Sequence, residues 1–394
     1  MTRRALRSWV GGLSLAVVTA SCGGGGASSP PANTGPSKIG AGEGALNIIV
    51  WAGYAESGSN DPKVDWVTPF QQATGCKTNA KIAGTSDEMV SLMQTGQYDG
   101  VSASGNATLR LMVGGTVAPV NVNLLTNYRD INSALKDQSY NTYQGVHYGA
   151  PHGWGANLLM SRTDIVKPSP DSWGAVFAAN SPYKGKITAY DDPIYIADAA
   201  LYLRATRPDL KITDPYELDN TQFQAAVSLL KQQRANIGSY WSDYTKEQAA
   251  FASGDSVIGT TWQVITNLLL SDKNPTPVAA IVPKEGSTGW SDTWMVSATA
   301  AHPNCMYMWM NWITSPDVQS QVAQWYGEAP ANLKACAVIA KTDPNFCATY
   351  HVDDTSYLKK LSLWKVPLTD CGDSRGKVCK GYQDWLNAWT DIKG

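Results

Sequence analysis

The chain is poor in histidine and lacks the common motifs of catalytic and metal centres. Its four histidines, 147, 152, 302 and 351, have no spacing suited to a metal site or a catalytic triad, and read as structural or surface residues. No G-x-S-x-G elbow, H-E-x-x-H pair or G-x-x-x-x-G-K-S/T loop occurs, and no G-x-G-x-x-G opens a helix. These gaps argue against hydrolase, zinc-protease, nucleotide-hydrolysing and dinucleotide-dependent activities, and imply neither cofactor nor metal. No cysteine pair has C-x-x-C spacing. There is no run of Lys or Arg to neutralise phosphates, which argues against nucleic acid. After the N-terminal region, no apolar stretch approaches the length that spans a bilayer.

What the N-terminus does contain defines a compartment. Arg3, Arg4 and Arg7 precede an apolar run, Trp9 to Val18, of about ten residues, too short to cross a membrane. Thr19-Ala20-Ser21-Cys22 follows and resembles the lipobox of bacterial lipoproteins, with Thr19 in place of the usual Leu. That resemblance implies cleavage before Cys22, lipidation of Cys22, and an exported protein tethered to the outer face of the cytoplasmic membrane. Loss of residues 1–21 takes away three of 31 basic residues, leaving 28 against 33 acidic ones, a net charge of −5. Residues 22–44 hold eight glycines and no aromatic, and read as a flexible tether. The remaining stretch of about 350 residues exceeds one comfortable core and predicts two lobes.

Beyond Cys22 there are six cysteines, which in an exported chain indicate disulfides. Fifteen pairings are possible. Short spacing favours Cys336 with Cys347 and Cys371 with Cys379, leaving Cys76 with Cys305. Asp370 and Asp373 in the last loop read as a solvated turn rather than a calcium site.

The periodicity predicts a strand over 47–50, a helix over 64–74 stopped by Gly75, and a strand over 77–83. Thr85-x-x-Glu88 then opens a helix ending near Gly96, and a strand runs from Asp99 to Ala103. Ser104-Gly105-Asn106 reads as a loop before a helix from Ala107. Further helices are predicted over 221–236 (opened by a T-x-x-Q box), 245–253, 303–314 and 316–326. The last has Ser315 as N-cap, Pro316 in its first turn and Gly327 beyond its end. Alternating strands and helices imply an α/β fold with parallel sheets covered on both faces.

Tryptophan is abundant, 15 residues against five phenylalanines. Trp51, Trp154, Trp262 and Trp290 follow or interrupt short apolar runs, where open α/β sheets place ligands. A tryptophan face attracts organic cations, and Asp292 adds a carboxylate two residues after Trp290. Asp191-Asp192 reads as a turn or ligand contact more readily than as the carboxylate pair of a glycosidase.

Seven stretches occur in the order found in one family: NIIVWAGYAE, YDGVSASGN, HYGAPHGWGANLLMSR, SWGAVFAANSPYKGKITAYDDP, SVIGTTWQ, VPKEGSTGWSDTWMVS and SPDVQSQVAQWYGEAPAN. From about residue 46 to about residue 335 the chain resembles the bacterial spermidine/putrescine-binding proteins, the solute receptors of polyamine ABC importers. The resemblance implies a two-lobed periplasmic-binding-protein fold of type II, each lobe a mostly parallel sheet, with lobe one over 45–153 and 293–335 and lobe two over 154–292 and 336–394. It implies a monomeric, non-catalytic receptor that closes on a polyamine and delivers it to permease subunits driven by a cytoplasmic ATPase. Carried over, the family's aromatic box falls on Trp51, Tyr54, Trp262 and Trp290, its small polar contact on Ser104, and its acidic anchors on Asp192 and Asp292. Four positions depart from the family: Gly53 and Tyr195 stand where acids are expected, Asn106 and Glu328 where aromatics are. Tyr195 and Glu328 stay in the expected ligand set, and two remaining anchors match a diamine or a monocation better than spermidine. A sugar receptor stacking its ligand on tryptophan, and a glycan-active enzyme using Asp192 and Asp292, are the alternative readings.

Overall fold

The computed structural model describes residues 35–394, so the leader 1–21, the lipidation site Cys22 and the tether up to residue 34 lie outside the described residues. In chain order the strands are β1 (Ala45–Val50), β2 (Lys77–Ile82), β3 (Gly100–Ser104), β4 (Thr142–Tyr143), β5 (Val146–His147), β6 (Gly149–Ala156) and β7 (Leu158–Arg162). They continue with β8 (Ile187–Tyr190), β9 (Ile237–Trp241), β10 (Ile258–Thr261), β11 (Val278–Ile281), β12 (Ser287–Val296), β13 (Ala329–Pro330) and β14 (Leu361–Leu363). Two sheets carry the fold, one ordered β13-β6-β12-β3-β1-β2 with β14 on β12, the other β11-β7-β10-β8-β9.

Strand β1 shows why both faces of the first sheet are covered. Leu46, Ile48 and Val50 point into one core with Trp66, Phe70, Trp294 and Trp309. Ile49 points into the opposite core with Met89, Val101 and Leu111. An apolar residue on each side of the pleat is what a strand between two helical layers requires. The second sheet has its own core, which includes Ile187, Tyr195, Phe223, Trp241 and Trp385.

Neither sheet is mostly parallel, as the family pattern implied. In the first, β1 is parallel to β2 and β3, whereas β12 runs antiparallel to β3 and β6. In the second, β8 is parallel to β9 and β10, whereas β7 runs antiparallel to β10 and β11. The antiparallel halves are made by strands that carry the chain from one sheet to the other. Only Asn157 separates β6 from β7, and residues 282–286 connect β11 to β12. The two crossings are tied side by side: Asn157 N donates to Thr288 O (2.9 Å), Asn157 Nδ2 to Thr288 Oγ1 (2.6 Å), and Ser287 Oγ to Asn157 O.

These strands move the sequence-based lobe boundaries. Residues 154–156 and 287–292 belong to β6 and β12 of the first sheet, because a strand cannot leave its ladder midway without orphaning backbone groups. Cys336, Cys347, Val352, Leu358 and Leu361 pack on the first core rather than the second, and β14 joins the first sheet. Only the last part of the tail crosses over, with Trp364, Trp385 and Trp389 in the second core. Residues 36–44 are likewise no free tether. Gly40 N donates to Asn304 Oδ1 (2.6 Å), and Glu43 accepts from the backbone N–H groups of Asn304 and Cys305 (both 2.9 Å) at the start of the helix Pro303–Ile313. Partial burial pushes Glu43 up, but those backbone donors outweigh it and hold the carboxyl below its ordinary range.

Local punctuation explains several helix ends. Gly75 and Gly327 adopt left-handed backbone after Val67–Thr74 and Pro316–Tyr326. Thr85 accepts from Glu88 N (3.1 Å), while the Glu88 side chain reaches Gly84 N (2.8 Å) instead of closing the box on Thr85. The box at Asn220–Arg234 is Asp219-x-x-Gln222, two residues before the expected threonine. The helix Gly105–Val113 follows β3 with no intervening loop, Ser104 being its N-cap. Disulfides join Cys76–Cys305, Cys336–Cys347 and Cys371–Cys379. Among the described residues no helix is long and apolar enough to cross a membrane.

Candidate functional site

Strands β1, β3, β8, β9 and β10 end around one cavity of about 90 Å³. Trp51, Thr85, Ser86, Ser104, Trp290 and Asp292 line it from the first sheet and its helices. Tyr190, Asp191, Asp192, Trp241, Ser242 and Trp262 line it from the second, with Tyr326 and Trp364 closing the sides.

The aromatic wall is a chain of edge-to-face contacts. Trp262 meets Trp241 with ring centroids 5.0 Å apart and Trp290 at 6.3 Å, and Trp290 meets Tyr326 at 6.1 Å. Trp262 is fixed by its indole N–H, which donates to Asn157 Oδ1 (2.9 Å). Trp290 lies over Gly155, where a Cβ would come within 2.6 Å of the indole, so only glycine leaves room for the ring.

Two carboxylates reach this cavity from opposite sheets. Asp292 sits on β12 directly across from Ser104 on β3, next to a register shift between Ser291 and Thr293. Such irregularities re-aim a side chain beside a site. Ser104 Oγ donates to Asp292 Oδ1 (2.5 Å), and Tyr54 Oη lies 2.7 Å from Oδ2. Burial pushes Asp292 up to about 6, against the hydroxyls of Ser104 and Tyr54 and the Trp51 indole, which hold it down. Asp192 follows β8. Its Oδ1 accepts from Ile194 N (2.8 Å), and Asn106 Nδ2 of the first sheet's helix approaches Oδ2 at 3.4 Å. Burial raises it to about 7. The adjacent Asp191 is already matched by Lys393 Nζ (2.7 Å) and the Trp389 indole (2.9 Å) of the C-terminal helix.

The nine residues expected at the ligand therefore divide. Trp51, Ser104, Asp192, Trp262, Trp290 and Asp292 line the cavity. Tyr54 does not line it; the side chain is fully buried behind Asp292. Glu328 is also fully buried, 2.8 Å from Tyr54 Oη, because the left-handed turn at Gly327 sends the chain inward to β13. Tyr195, the first residue of the helix Tyr195–Thr206, points into the second core, where its hydroxyl accepts from Gln233 Nε2 (2.9 Å). Trp154, one of the four conspicuous tryptophans, is core of the first sheet. The sequence reading missed Trp241, Tyr190, Tyr326 and Trp364. Trp241 ends a strand as Trp51 follows one, and the same rule would have found it; Trp364 carries no such signal. Among the described residues no cluster of three metal-ligating side chains occurs.

Two sheets joined by paired crossings, with a cavity at their strand ends, define a two-lobed binding protein of the periplasmic type. Residues 65–348 match the family of bacterial extracellular solute-binding proteins, and the chain belongs to that family. It is a solute-binding protein, not an enzyme. It is 25% identical over 304 residues to the spermidine/putrescine-binding periplasmic protein of Escherichia coli K12, covering 74% of this chain and 83% of that one. The fold superposes on the spermidine/putrescine transporter substrate-binding protein PotD of Streptococcus pneumoniae with a TM-score of 0.66 at 18% identity, over 88% of this chain and 97% of that one. It also superposes on the A. tumefaciens protein MotA, solved with glucopine, with a TM-score of 0.67 at 14% identity, over 89% and 100% of the two chains.

Proposed function

We propose that the protein is the receptor of an ABC importer for a small organic cation with two positive groups, a putrescine-like diamine. The observation that carries this reading is the placement of Asp192 and Asp292, from different sheets, around one cavity walled by Trp51, Trp241, Trp262 and Trp290. An ammonium entering such a cavity loses its water and needs an anion or several oxygens in return. The indole faces take the alkyl chain and add cation–π attraction of about 0.5–2 kcal/mol per well-placed ring.

The two sheets act as the two lobes, hinged at Asn157, at residues 282–286 and where the tail crosses after Leu363. A ligand touching both carboxylates stabilises the closed arrangement by its greater affinity for that state. Cys22 is lipidated and holds the monomer at the outer face of the cytoplasmic membrane. From there the loaded receptor docks on permease subunits driven by a cytoplasmic ATPase.

Isothermal calorimetry of the mature protein against putrescine, spermidine, neutral oligosaccharides and amino acids tests the ligand class. One-to-one binding of putrescine, with no heat from oligosaccharides, is expected. Binding of a neutral sugar in preference to every amine, or glycan turnover, overturns the reading.

A further inference from the structure

Behind Asp292 lies a second carboxyl that the recognition scheme above leaves unused. Glu328 has no solvent exposure, and its Oε2 is 2.8 Å from Tyr54 Oη, which also lies 2.7 Å from Asp292 Oδ2 and faces the Tyr326 hydroxyl. One phenol carries one proton, so it donates to only one of two carboxyl oxygens. The second short contact requires a proton on a carboxyl.

The surroundings decide which carboxyl holds it. Asp292 receives a second donor from Ser104 and opens onto the cavity. Glu328 faces Tyr54 beyond β1, His152 on β6, Asp292 on β12 and Tyr326 at its helix end, and with Tyr350 and His351 it lines a separate space of about 20 Å³. Among the described residues no lysine or arginine pairs with it. Among the described residues the imidazole that reaches it is His152, with Nε2 3.3 Å from Glu328 Oε1, yet neither ring nitrogen makes an aligned hydrogen bond. Complete burial drops that imidazole to about 3, so it stays neutral. An anion on Glu328 would have no counter-charge among the described residues. The carboxyl is nevertheless fitted to its place: a Cβ on Gly153 would fall 2.3 Å from Glu328 Cδ, so the glycine makes room for it.

We propose that Glu328 is a positioning residue, a neutral carboxylic acid that donates to Tyr54, so that Tyr54 donates to Asp292 and Asp292 alone presents the first sheet's negative charge to the ligand. This rests on the organic-cation reading of the cleft. With Asp191 matched by Lys393, the cavity then offers two free anions, Asp192 and Asp292, one for each end of a diamine.

Two measurements test it. Infrared difference spectra of wild type and Glu328→Gln, taken without ligand at pH 8, should show the carbonyl stretch of a protonated carboxylic acid that the variant lacks. This result does not depend on what the cleft binds. Calorimetry with putrescine between pH 5 and 9 should give Glu328→Gln an affinity within about threefold of wild type, with the same pH midpoint, since an amide still donates to Tyr54. Tyr54→Phe, which removes a donor from Asp292, should raise that midpoint; a merely structural role would leave it in place. Absence of the protonated-acid band, or a loss of about tenfold or more in Glu328→Gln, overturns the proposal by marking Glu328 as an anionic anchor. If wild type binds no amine at all, the ligand reading fails while the infrared result still decides the state of Glu328.

Discussion

Replacing Asp292 by Asn should move stability and binding in opposite directions. Its carboxyl is raised by burial from 3.8 to about 6. A group whose folded pKa is raised contributes stability below its unfolded pKa and loses it as pH rises through the folded value. At pH 8 the ionised Asp292 therefore works against folding by about 3 kcal/mol, two pKa units at about 1.4 kcal/mol each. Asparagine is neutral and keeps one acceptor oxygen, for Ser104 or for Tyr54, while its NH2 faces the other hydroxyl. The ligand-free variant should gain up to about 3 kcal/mol at pH 8, less whatever the altered hydrogen bonds cost, and the gain should vanish toward pH 4. Binding should weaken by about 2–5 kcal/mol, because an ammonium is left desolvated and unpaired. Thermal melts without ligand at pH 4 and 8, with calorimetry against putrescine at pH 8, read both terms. A variant that melts lower at pH 8 and binds as well as wild type would refute the reasoning and make Asp292 a core residue.

Trp262→Ala should weaken amine binding by about tenfold or more, with some apo destabilisation from lost contact with Trp241 and Asn157; calorimetry and melting separate the two. Tyr195→Phe should leave affinity unchanged and cost about 1 kcal/mol of stability, because Gln233 loses an acceptor in the core, a result read by denaturant titration. Mass spectrometry of the unreduced protein should find no free thiol and peptides linking Cys336 to Cys347 and Cys371 to Cys379. Loops that short restrict the unfolded chain by about 2–3 kcal/mol each, and the Cys76–Cys305 bridge, closing 229 residues, by about 5 kcal/mol, so its loss should lower the melting temperature most.

The parts of the fold with local causes were legible in the sequence. Ile48-Ile49-Val50 gives β1, and Ser315, Pro316 and Gly327 bound their helix to the residue. The short cysteine loops follow from spacing. Features set by distant contacts were not legible. Glu43 orders residues 36–44 by capping a helix that begins at Pro303, and nothing near Glu43 announces that partner. The tail after Cys336 carries apolar residues suited to either core, and only the pairing of β14 with β12 assigns its first half. At the site, residue types and strand ends pointed to Trp51, Trp262, Trp290 and Asp292. Position along a motif did not reveal which way Tyr54, Tyr195 and Glu328 turn, because a one-residue change of direction in a helix start or a left-handed turn sends a side chain from cleft to core.

The most direct test of a two-carboxylate cation site is the pH dependence of putrescine binding by the wild-type protein. Asp292 and Asp192, raised to about 6 and about 7, must both give up protons before they hold two ammonium groups. Calorimetry should therefore find tight binding at pH 8 that weakens by more than about tenfold at pH 5, with proton release on binding near pH 6. Affinity unchanged between pH 5 and 8, or spermidine bound at least about tenfold more tightly than putrescine, would contradict the account.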